Sequence, residues 1–123
     1  MKVTVPGLIL FGILGCTDGI GPVAGSLTAQ ASRPAVQLNN NSSATVYTFV
    51  VERETAAVMN WAPCTNPFLC PGLAPGKEAT LPYSDIAGYT PGARQAVVYW
   101  WHLVPGDGPG LRPDSVRGVL LDL

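Results

Sequence analysis

From Pro34 to the carboxyl terminus, apolar runs alternate with clusters of Gly, Pro, Asn and Ser, the pattern of short strands separated by turns. Ala35-Val36-Gln37-Leu38 predicts a first strand, and Asn39 to Ser43 a turn, because Asn tolerates positive φ. Ala44 to Glu54 is rich in β-branched and aromatic residues, with Tyr47, Phe49 and Val51 on one face and Val46, Thr48 and Val50 on the other. Ala56 to Trp61 fits either a further strand or a short helical turn. The Pro-Gly pairs Pro71-Gly72 and Pro75-Gly76 lead into a strand over Glu78 to Pro82. Gln95 to Val104 is another strand, Pro105 to Pro113 with three Gly and three Pro is a loop, and Val116 to Leu123 closes the chain as a last strand. Six to seven strands in about 90 residues, with almost no helical period, predict an all-β fold, a small antiparallel β-sandwich.

Before Pro34 the pattern changes. Lys2 and the amino terminus precede an apolar run from Gly7 to Gly15, shorter than the roughly 20 residues of a bilayer-spanning helix. It has the size of the core of a secretory signal peptide. At its end, Ile13-Leu14-Gly15-Cys16 resembles the lipobox of bacterial lipoproteins, an aliphatic and a small residue ahead of a Cys. The resemblance implies that residues 1–15 are removed as a signal peptide and that Cys16 carries a diacylglyceryl group, its new amino terminus also acylated. The membrane is then the first partner and the bacterial cell envelope the address. By the family's sorting rule, Thr17 after the Cys implies the outer membrane or its periplasmic face. Thr17 to Arg33 has no run of large apolar residues and no period, so residues 16–33 read as a lipidated tether and 34–123 as the domain. A second reading cuts after Ala29-Gln30-Ala31 and yields a soluble secreted protein starting at Ser32.

Composition removes several function classes. Charged residues make up 12%, about half the usual share, while the hydrophobic fraction of 47% is ordinary. A coiled coil and a charged disordered tail are both excluded. Seven Lys+Arg against eight Asp+Glu leave no basic field for nucleic acid. With Cys16 assigned to lipid, Cys64 and Cys70 form an even pair in an oxidising space, close enough to bond as a disulfide. The rival use is metal, with Cys64, Cys70 and His102 as three ligands. Structural zinc usually takes four ligands with closer Cys spacing, and blue copper wants a second His, so no metal or cofactor is expected. The turn–strand pattern of Asn39–Val51 and the Pro75-Gly76-Lys77-Glu78 lead into a strand resemble immunoglobulin-like domains of bacterial envelope proteins. The Cys–Trp–Cys frame of antibody domains is absent.

Tyr99-Trp100-Trp101-His102 is the most informative cluster. Adjacent strand residues point to opposite faces, so one indole enters the sandwich. The other lies on the outer face or under a loop, with the Pro-rich disulfide loop the obvious cover. An open indole, together with Trp61, Tyr99 and His102, makes the candidate binding surface for a glycan, a peptide or an envelope protein. His102 is the one imidazole, and Ser84, Ser115, Asp85 and Asp114 are its conceivable companions. None sits in a nucleophile-elbow setting, so no catalytic residue is assigned and the chain reads as a non-catalytic binding or structural protein. A minor hydrolase or metal-binding protein centred on His102 is the alternative. Glu52-Arg53-Glu54 reads as a solvated strand end that discourages edge pairing, with Arg94 or His102 as other partners for Glu52. Gly106 to Gly110 lacks the Lys and Ser/Thr of a phosphate loop and the acids of a calcium loop, and is a turn.

Overall fold

The computed structural model describes residues 27–123. The expected signal peptide, the lipid site Cys16 and the tether as far as residue 26 lie outside the described residues. The strands are β1 (Leu27–Ser32), β2 (Ala35–Asn40), β3 (Val46–Glu52), β4 (Gly72–Leu73), β5 (Glu78–Pro82), β6 (Gln95–Trp101), β7 (Leu103–Pro105), β8 (Leu111–Pro113) and β9 (Arg117–Asp122). A single helical turn, α1 (Arg53–Ala56), follows β3. A three-stranded sheet, β1-β2-β5, faces a four-stranded sheet, β4-β3-β6-β9, and β7 with β8 forms a separate hairpin. Every ladder between these strands is antiparallel. The connectivity is that of an immunoglobulin-like sandwich: the first, second and fifth strands form one sheet, and the third and sixth pair at the centre of the other.

The period of two builds the core. Leu27, Ala29, Val36 and Leu38 from one sheet meet Val46, Val50, Ala96, Val98, Trp100 and Leu121 from the other. Full burial of each large side chain there contributes about 1.5–3 kcal/mol. The opposite face of the four-stranded sheet carries a second cluster, in which Tyr47, Trp101 and Cys70 are buried and Phe49, Trp61, Tyr99 and Leu103 pack against them. The long middle strands are therefore apolar on both faces, like a central layer with cover on each side.

The two ends of the sandwich differ. Leu27 opens β1 opposite Asn40, and Tyr47–Trp101 is the last pair of the β3–β6 ladder at the same end. At the other end Glu52 pairs with Ala96 and Gln95 with Asp122. There the Arg33 guanidinium donates to the Leu123 carbonyl at 3.3 Å.

The structure moves several expected boundaries. Leu27–Ser32 forms β1 rather than tether, so the domain does not start at Pro34; Leu27 and Ala29 are each 1% exposed and belong to the core. The strand expected over Ala44–Glu54 is shorter because the Glu52 carboxylate caps α1, accepting from the Glu54 and Thr55 N–H groups at 2.8 Å each. Ala56–Trp61, expected as either a strand or a short helical turn, forms no strand, and the helical turn lies upstream, at Arg53–Ala56. The run expected over Gln95–Val104 breaks at His102, and the loop over Pro105–Pro113 narrows because Leu111–Pro113 returns as β8.

Candidate functional site

Trp100 and Trp101 point to opposite faces, and both are covered, at 1% and 2% exposed. Trp100 lies between the sheets with the Arg117 guanidinium 4.5 Å from its ring centre, a cation–π arrangement. Trp101 lies on the outer face under the loop that Cys64 and Cys70 close. Those cysteines form a disulfide with Cα atoms 5.9 Å apart. Just before that loop Trp61 packs on the sheet, its ring centre 4.9 Å from Phe49, 4.8 Å from Tyr99 and 5.8 Å from Trp101. The residues singled out as a binding surface are thus divided between two cores: Trp100 is inside the sandwich, while Trp61, Tyr99 and Trp101 form the second cluster. No stacking platform is open on Trp100 or Trp101.

His102 has company that the sequence hides. Its N–H donates to Asp114 Oδ1 at 2.9 Å, and its Nδ1 faces Asp114 Oδ2 at 3.2 Å. Its Nε2 faces Ser42 Oγ at 3.1 Å. Ser42 comes from the β2–β3 turn, His102 from the break between β6 and β7, and Asp114 from the link between β8 and β9, so three connections converge at the Asn40 end. The Ser–His–Asp order is that of a hydrolytic triad. Of the four companions read from sequence, Asp114 is the one that reaches the ring.

Asn40 sets what Ser42 can do. It is 1% exposed, and its amide Nδ2 donates to the carbonyls of Ala44 and Leu73 at 2.8 Å each. Its Oδ1 accepts from the Ser42 N–H at 2.9 Å and from the Ser42 hydroxyl at 2.6 Å. A hydroxyl has one proton to give. With it on Asn40, Ser42 Oγ offers a lone pair to Nε2 and the Asp114 carboxylate faces Nδ1, so both ring nitrogens have acceptors. Turned instead toward Nε2, it would leave a lone pair of the buried Asn40 oxygen unused. The contact to Asn40 is shorter than those to the Ala44 carbonyl at 2.9 Å and to Nε2, which favours the structural arrangement, in which Asn40, Ser42, His102 and Asp114 form a polar tie across the two sheets.

The Asp114 carboxyl sits at about 2, below its ordinary 3.8. Burial alone would raise it. The His102 and Ser115 N–H groups, the His102 ring and the Arg117 guanidinium at 3.4 Å together outweigh that cost.

Other expected contacts do not form. Glu52 meets neither Arg94 nor His102, because both of its oxygens are taken up in capping α1. Its carboxyl is lowered chiefly by those backbone N–H groups. The Cys64–Cys70–His102 ligand set is not assembled, since the two sulfurs are bonded to each other; among the described residues no three metal-ligating side chains converge. A cavity of about 520 Å³ opens at the Glu52 end, lined among others by Glu52, Arg53, Thr55, Arg94 and Gln95. It lies at the opposite end of the sandwich from His102.

Sequence reasoning missed Asn40 and Ser42. One signal for Asn40 was present: it continues the alternation of Val36 and Leu38 and so falls in phase with the core. Nothing local marks Ser42 among its neighbours. Comparison of the chain with protein-family models, with curated proteins and with solved structures finds no match.

Proposed function

We propose that the chain is an exported protein of the bacterial cell envelope, held on a membrane by lipid on Cys16, whose sandwich is a non-catalytic binding or structural domain. The observation that carries this reading is the Cys64–Cys70 bond, which holds the cover of the second core and is of a kind that forms in oxidising compartments and is rare in the cytosol. β1 supports the lipid anchor over soluble secretion. A cut after Ala31 would remove all of β1 but Ser32, taking Leu27 and Ala29 out of the core. A cut before Cys16 leaves the whole domain intact. The commitment of the Ser42 hydroxyl to Asn40 supports the non-catalytic part.

One observation favours a second reading: the Ser42–His102–Asp114 order would suit a weak serine hydrolase, with Ser42 as nucleophile, His102 as base and Asp114 as its orienting group. Two measurements test the pair. Mass spectrometry of the amino terminus from membrane-purified protein should find acylated Cys16, and an unmodified Ser32 start would remove the anchor. A fluorophosphonate probe should leave the protein unlabelled; labelling that disappears in Ser42→Ala would establish the hydrolase.

A further inference from the structure

The end of the sandwich from which the chain departs toward Cys16 also carries its most exposed apolar tip. Leu27 pairs with Asn40, whose amide reaches the Leu73 carbonyl, and Leu73 follows Cys70 by three residues. Cys70 packs with Tyr47 and Trp101, the terminal pair of the β3–β6 ladder at that end. Between the cysteines, Phe68 is 94% exposed and Leu69 77%.

The backbone that carries these side chains is held rather than left loose. The Phe68 N–H donates to Asn66 Oδ1 at 2.9 Å, and the Leu69 and Cys70 N–H groups donate to the Asn66 carbonyl at 3.0 and 2.9 Å. The disulfide closes this turn, and the Trp101 indole N–H fastens it to the sheet through the Cys64 carbonyl. A phenyl and an isobutyl group fixed in water invite a non-aqueous neighbour.

What lies nearby identifies the neighbour. No charged residue occurs from Ala56 to Gly76, so nothing on the loop opposes entry into a headgroup layer. The β7–β8 hairpin leaves the same end with Leu111 40% exposed, its Arg112 and Asp107 balancing in charge. Cys16 lies eleven residues before Leu27, a reach of at most about 40 Å.

We propose that Phe68 and Leu69 insert into the interfacial layer of the same bilayer that holds the acyl chains on Cys16. The proposal rests on the lipid-anchor reading. The anchor makes the second contact effectively intramolecular, so two side chains too weak to bind a free protein stay occupied on a tethered one. The domain then stands with its Asn40 end against the lipid and its Glu52 end outward.

The test uses the full chain carrying Phe68→Trp, purified from membranes and reconstituted in phosphatidylethanolamine vesicles with brominated acyl chains. Mass spectrometry reads acylation of Cys16 on the same sample, and far-ultraviolet circular dichroism checks the fold. After subtraction of the native tryptophan signal, emission of the added indole should fall at least twofold against unbrominated vesicles. Because the loop is uncharged, the fall should persist in high salt and need no anionic lipid. An acylated protein whose added indole is not quenched overturns the inserted tip and leaves the anchor standing. A bare Cys16 with quenching removes the anchor and overturns the tethered insertion, the tip then binding lipid on its own; a bare Cys16 without quenching removes both. Protection from acrylamide in intact envelopes without quenching in vesicles assigns the tip to a protein partner and overturns the proposal.

Discussion

The Trp101 indole N–H donates to the Cys64 carbonyl at 3.0 Å, joining the disulfide loop to the end of β6 in the four-stranded sheet. The loop is consequently part of the fold, with the second aromatic cluster as its own small core.

Removal of the bond by Cys64→Ser with Cys70→Ser should lower stability by about 2 kcal/mol, the chain-entropy value for so short a closed loop. Urea midpoints with and without reductant measure it. Tryptophan emission should shift to the red as the cover over Trp61 and Trp101 loosens.

Asn40 meets every polar demand of its amide inside the protein. Asn40→Ala leaves the Leu73 carbonyl and the Ser42 groups without their partner and should cost about 3 kcal/mol, read from the shift in urea midpoint. Ser42→Ala, which removes the hydroxyl's contacts to both Asn40 and His102, should cost about 2 kcal/mol.

Asp114 gives the domain an acid-range signature. Its carboxyl is lower in the folded chain than in the unfolded one, so its contribution is complete above the ordinary value of 3.8 and is lost as pH falls through about 2. Allowing for the solvent that screens this partly exposed group, the loss should be about 1–2 kcal/mol. Urea midpoints between pH 6 and 2 (roughly the window that linkage sets) should fall less steeply in Asp114→Asn than in the parent.

Gly88 has φ +75°, and a Cβ there would run into the Thr55 side chain. Thr55 is held in place by the Glu52 carboxylate. Gly88→Ala therefore combines backbone strain with a clash and should cost about 2 kcal/mol or more, seen as a lower melting temperature. Gly76→Ala, with φ +74° and open space, isolates the strain alone and should cost less.

Most of the sandwich was legible because β-branched and aromatic residues crowd its middle strands. The Glu78–Pro82 strand appears where the Pro-Gly pairs lead into it, and Val116–Leu123 differs from β9 by a residue at each end. β1 was illegible for a physical reason: only Leu27 among its six residues is large, and Ala29 fills a core position without raising local hydropathy. The two Trp faces followed from strand geometry, whereas their cover depended on a loop whose path no period encodes. The polar tie at His102 joins residues as far as 74 positions apart, from Asn40 to Asp114, through tertiary closure alone.

Leu27 enters the sandwich at one end and Leu123 leaves it at the other. Tension drawn between the two termini would run along the strands, sliding β1 against β2. All six register pairs of that hairpin would share the load together instead of opening one by one. A domain loaded through its two ends in this way resists a steady pull as a lap joint does, and its first yielding event would be the loss of a whole strand.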